Sequence, residues 1–213
     1  MIEFESSSDT CAIHSGGFRL AFVRRNNRWV HRIEAGLPLR WSPWAESIEQ
    51  EFTIATDIVR SPVYQELHVE GTNEQARVLL LGGLARHHFS AAFQVIERDY
   101  HIKKAVYVMI DVAVRAMSEL KLLAAGYQLA RAPDIPRTEG QNAPEIRWNL
   151  QGNRSELKFQ AYDSPGVQSF TRWSTEAGQP LAEIRTSSLL PAPGTSRLAY
   201  GWSYLEDQLS YKA

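Results

Sequence analysis

The chain carries six histidines, and the adjacent pair among them is His87–His88, in "LGGLARHHFSAAFQVIE" from Leu81 to Glu97. Two neighbouring imidazoles raise the question of a metal site or an acid–base pair. A β-strand answers against both, because it turns successive side chains to opposite faces. His87 shares an apolar row with Phe89, Ala91, Phe93 and Val95, whereas His88 shares a polar one with Arg86, Ser90, Gln94 and Arg98. The pair is therefore two positions, not one site. His87 is expected in the core, hydrogen-bonded as buried polar groups are.

The next apolar stretch gives His88 its company. In "AVYVMIDVAVRA" the valines and Ile110 form one row, and Tyr107, Met109, Asp111 and Arg115 form the other. Pairing this strand with the His88 strand through "DYHIKK", apolar row against apolar row, sets Arg115 opposite His88 and Asp111 diagonal to Ser90. Imidazole, guanidinium, carboxylate and hydroxyl then share one patch. Such a patch suits proton transfer, with Asp111 tuning His88, or the gripping of a polyhydroxylated ligand. His88, Asp111 and Arg115 are the candidate catalytic residues. The wet face of a half-buried antiparallel sheet carries the same pattern without any chemistry.

Aromatic residues supply a second candidate set. Tyr200, Trp202 and Tyr204 alternate in "AYGWSYL", and Trp41 and Trp44 flank a proline in "RWSPWAE". Flat rings with a polar edge suit the C–H faces of sugars, whose hydroxyls seek Arg, Asp, Gln and His. Trp41, Trp44, Tyr200, Trp202 and Tyr204 are thus candidate ligand-binding residues. The competing role for the Tyr200 row is the inward face of a sandwich strand.

Other chemistries fall away. His68 lies between Glu66 and Glu70 in "ELHVE", but alternate strand residues converge only partly, and no metal is expected. The single Cys11 excludes an internal disulfide and a thiolate zinc cluster, and reads as a small buried residue. "SGG" and "LGG" lack the phosphate-loop pattern and no "GxSxG" occurs, so no cofactor is expected. Lys+Arg 23 against Asp+Glu 24 leaves a net charge of −1, which argues against nucleic acid. The acidic, polar start is unlike a signal peptide, and no apolar run approaches the ~18 residues of a membrane span. The expectation is a soluble, cytoplasmic protein with no membrane partner.

The elements that must position these residues are strands. In "FRLAFVRRNNRWVHRIEAG" a tight turn at Asn26-Asn27 sets Phe22 opposite His31 and Arg19 opposite Glu34, which satisfies both faces in one register. "EIRWNLQGNRSELKFQAY" turns at Gly152-Asn153, with Trp148 opposite Leu157 and Ile146 opposite Phe159. A third hairpin joins "LAEIRTSSLL" to "SRLAYGWSYLED" across Pro191 to Gly194. Residues 118–131 are rich in helix formers, yet Gly126 and the flanking β sequence favour a strand. "SPWAE" from Ser42 has the cap and proline of a short helix start. The prolines of 131–144 make a long loop and a possible subdomain break in an otherwise single domain spanning 1–213.

About a dozen short strands with Gly, Pro and Asn punctuation predict an all-β fold, an antiparallel two-sheet β-sandwich with at most one or two short helices. The function that follows best is ligand binding, with carbohydrate or a small polar ligand as partner. The alternatives are a sugar-ring isomerase or epimerase using histidine and carboxylate, and a structural or subunit-interface domain. Nothing in the sequence fixes an oligomeric state.

Overall fold

Alternation of apolar and polar side chains lets a strand bury one face and wet the other, and residues 75–80, 87–95, 106–116, 145–150 and 155–160 follow that rule. The computed structural model describes residues 1–37, 40–48, 57–84, 86–100, 103–134, 144–150, 155–162, 168–186 and 194–207. Strands β1 (Glu3–Ser6), β2 (Thr10–Ser15), β3 (Phe18–Arg25), β4 (Arg28–Leu37) and β5 (Arg40–Ser47) form a meander. β6 (Ile58–Val59) is a two-residue parallel partner of a later strand. A second meander follows in β7 (Glu66–Gly71), β8 (Gln75–Leu84), β9 (His87–Tyr100) and β10 (Lys103–Ala116). β11 (Leu122–Leu129) returns to the first sheet, β12 (Glu145–Leu150) and β13 (Ser155–Tyr162) belong to the second, and β14 (Ser169–Glu176) and β15 (Gln179–Thr186) to the first. The last strand, β16 (Gly194–Asp207), inserts between β13 and β10.

The result is a β-sandwich of nine and seven strands. One sheet runs β1-β2-β3-β4-β5-β11-β15-β14, with β6 beside β11; the other runs β12-β13-β16-β10-β9-β8-β7. Apart from β6 all pairings are antiparallel, and no helix occurs among the described residues.

The first hairpin forms in the expected register. Asn26 and Asn27 both take positive φ, 46° and 61°, as a two-residue turn requires, and Phe22 faces His31. The second keeps Trp148 opposite Leu157 and Ile146 opposite Phe159; its tip at Gly152-Asn153 lies outside the described residues. Residues 122–129 are strand, as Gly126 indicated: a Cβ there would stand 2.7 Å from the Ile48 methyl that rests on it.

Two expectations are overturned. The Ser42–Pro43–Trp44 segment is not a helix start but part of β5. Its register against β4 slips, with Ile33 facing Ala45 and Glu34 facing Pro43, so Trp44 is the extra residue of a bulge. A bulge tolerates a residue without an N–H, which is why Pro43 sits there. The third hairpin also fails: β15 and β16 belong to different sheets, and the residues between them, 187–193, lie outside the described residues.

Residues of both sheets meet in one buried cluster. Tyr200, Trp202 and Tyr204 lie inside it, exposed by only 2%, 1% and 1%. Trp202 stacks on Phe159 at 4.4 Å and lies beside Trp148 at 5.9 Å. This row is core, so it offers no face to a ligand. Its two tyrosine hydroxyls are hydrogen-bonded internally, as burial demands. The Tyr200 and Tyr127 hydroxyls share a hydrogen bond of 3.0 Å, Tyr127 shares another of 2.6 Å with His31 Nε2, and Tyr204 donates to Ser155 at 3.2 Å. Complete burial depresses His31 to a pKa of about 3, so this imidazole is neutral; it bonds to Tyr127 within its own sheet, and the Tyr127–Tyr200 pair links the two sheets.

Candidate functional site

On the open face of the seven-stranded sheet, the floor is set by small residues. Asp111 of β10 is flanked by Ala92 on β9 and Ala199 on β16, and Met109 by Gln94 and Gly201. Longer side chains rise on both sides: His68 and Glu70 from β7, Arg77 and Leu79 from β8, Tyr162 from β13. A low floor between tall walls is a groove, here about 730 Å³ in volume.

Its surface is mixed. Leu79 and Met109 are each 40% exposed and add apolar surface to it. Tyr162 leans over Gly201, where a Cβ would come within 3.0 Å of its ring and 3.2 Å of its hydroxyl oxygen. Partial burial raises the pKa of that hydroxyl, and a hydrogen bond with Gln160 opposes the rise. Arg197 reaches Asp111 Oδ2 at 3.5 Å. Asp111 Oδ1 is shielded and has no hydrogen-bond partner among the described residues, which makes it the least satisfied acceptor in the groove. An aromatic face, two apolar side chains and convergent donors and acceptors thus share one concavity.

The sequence-derived candidates are placed as follows. Asp111 stands on the groove floor. Arg115 is directly opposite His88, the expected register, and Ser90 is opposite Ala113, diagonal to Asp111. Asp111 and Arg115 are nevertheless four residues apart on one strand, ~13 Å at the usual rise. His88 and Arg115 edge a separate hollow with Arg86 and Met117. His87, 2% exposed, lies on the buried side of β9, and His88 is exposed on the other. Trp41 and Trp44 belong to β5 in the opposite sheet. Trp41 lies 5.9 Å from the His14 ring, and the Arg131 guanidinium sits 4.9 Å above Trp44. Neither tryptophan lines the groove.

His68 pairs with Glu66 at 3.6 Å on an exposed strand, and among the described residues no group of three or more His, Cys, Asp or Glu could hold a metal ion. Cys11 is buried, and burial raises its pKa, the opposite of an activated nucleophile.

Tyr162, Arg197, Arg77 and Met109 were not singled out by sequence. Tyr162 had a usable signal: it ends the polar row Glu156, Lys158, Gln160 of β13, where an aromatic residue is out of place.

No family model matches the chain, and no curated protein matches it. Among solved structures the chain is similar to the 4-alpha-glucanotransferase from Thermococcus litoralis, with a TM-score of 0.42 and 8% identity. The match covers 97% of this chain and 39% of that one. Among the described residues no helix is long and apolar enough to cross a membrane.

Proposed function

We propose that the protein binds carbohydrate in the groove over Asp111. The observation that carries this reading is the combination of the Tyr162 ring with the Asp111–Arg197 pair in one concavity of about 730 Å³. A sugar presents C–H faces and hydroxyl edges together. The first need apolar surface, which Tyr162, Leu79 and Met109 supply; the second need convergent hydrogen-bond partners, which Asp111, Arg197, Gln94 and Arg77 supply. The volume falls within the usual range for small-molecule sites. Proton transfer between His88 and Asp111 draws less support, because the two residues border different hollows.

The test is a glycan array followed by calorimetry with the tightest neutral glycan. Tyr162→Ala removes the stacking face and should weaken binding about tenfold to a hundredfold, on the scale of other aromatic platforms. Asp111→Asn should weaken it also, with the fold unchanged by circular dichroism. Trp44→Ala should leave it unaltered. Binding indifferent to Tyr162 and Asp111, or an array without any binding, rejects the reading.

A further inference from the structure

A second hollow lies on the open face of the seven-stranded sheet, and it differs in charge from the groove. The groove over Asp111 mixes signs, with Glu70 and Asp111 against Arg77 and Arg197. The second hollow, about 530 Å³, is lined by Arg86, His88, Arg115 and Met117, without a carboxylate.

This gathering differs from the ion-paired arginines elsewhere in the molecule. Arg19 meets Glu34 at 2.6 Å, Arg25 meets Glu46 at 2.5 Å and Arg185 meets Glu183 at 2.7 Å. No ion pair reaches Arg86, His88 or Arg115 among the described residues. A guanidinium is charged at every accessible pH, and Arg115 faces His88 directly across the β9–β10 ladder. Two planar forks with an imidazole between them match the oxygens of a phosphate, sulfate or carboxylate. Between the hollows, Arg197 stands opposite Ala113, halfway along β10 from Asp111 to Arg115.

We infer that the Arg86–His88–Arg115 hollow binds an oxyanion carried by the glycan that occupies the groove, so the preferred ligand is an anionic oligosaccharide. The sugar part rests on the function proposed above; the anion part stands on these three side chains alone. A separation of ~13 Å along the strand is too long for one ring to bridge, hence an oligosaccharide and not a single sugar.

Two titrations test it on the full chain. Sodium phosphate, at ionic strength held constant with chloride, should shift the amide resonances of Gly83, His88 and Arg115. These shifts should vanish in an Arg86→Gln/Arg115→Gln variant whose thermal unfolding matches that of the unaltered protein. Calorimetry then compares three matched trisaccharides: neutral, with a terminal uronic acid, and with a terminal 6-phosphate. At least one charged form should bind about tenfold tighter than the neutral one, and Arg115→Gln should close the gap. Which charged form gains tells carboxylate from phosphate.

If no trisaccharide binds but phosphate still shifts His88 and Arg115, the groove reading falls and the anion site remains. If all three bind equally, the inference is overturned and the groove reading stands. Phosphate shifts that persist in the double variant overturn it as well.

Discussion

Tyr162 leans across Gly201, two strands brought together by the absence of a side chain. A Cβ on Gly201 would stand 3.0 Å from Tyr162 Cε2 and would also collide with the Val108 carbonyl oxygen of β10. The ring could swing aside; the backbone oxygen of a central strand could not. Gly201→Ala is therefore expected to destabilise the fold by about 1–3 kcal/mol, the usual range for overpacking. Urea denaturation measures it. A change under 0.5 kcal/mol would show that the strands have room to part.

Acid should unfold the protein partly through His31. Its pKa is about 3 in the folded state against an ordinary 6.5, because burial disfavours the cation. Below pH 6.5 the unfolded chain takes up a proton that the folded one refuses, so stability falls as pH drops toward 3 and is unaffected by this group above 6.5. The whole loss is on the order of 5 kcal/mol. Glu97 acts in a lower window. Burial alone would raise its pKa, but hydrogen bonds from the Met1 ammonium, Ser15 and Lys104 bring it to about 2, so its contribution is lost only below pH 4.5. Denaturation curves between pH 6.5 and 4.5 should thus show the His31 slope, and His31→Gln should flatten it. An unchanged slope would mean that His31 titrates normally.

Removing a core aromatic should cost far more than removing a groove residue. Trp202→Ala empties a slot between Phe159 and Trp148 and is expected to cost about 3–5 kcal/mol. Chemical denaturation measures the difference, and a near-neutral result would return Trp202 to the surface.

Arg197→Gln separates stability from binding. Its pair with Asp111 is solvent-exposed and 3.5 Å long, so stability should stay within about 0.5 kcal/mol. Glycan affinity should nevertheless fall, since the guanidinium is one of the groove's donors. Equal affinity in both proteins would remove Arg197 from the site.

Much of this architecture is legible in particular residues. Phe22 and His31 meet as expected because both faces of their hairpin are patterned and its turn is unambiguous. Arg115 and His88 meet because each of their strands has an unbroken apolar row, which fixes the register. Pro43 misled because a proline after serine marks a helix start and a strand bulge alike. The expected pairing of β15 with β16 misled because proline and glycine between two strands do not say whether the strands share a sheet. The open face was harder still. Alternation says that Tyr200, Trp202 and Tyr204 share a side, but not that this side is core, while Tyr162 reaches the open face from a strand whose other outward residues are polar. That distinction depends on sheet order, which brings β13 and β16 together from distant sequence.

The location of a bound neutral glycan is the most direct measurement. Titrated into isotopically labelled protein, it should shift amide resonances of Ala92, Asp111, Tyr162 and Ala199, all on the open face of one sheet. Shifts confined to Trp41 and Trp44 on the opposite sheet, or no shifts with any glycan the array selects, would contradict carbohydrate binding in the groove.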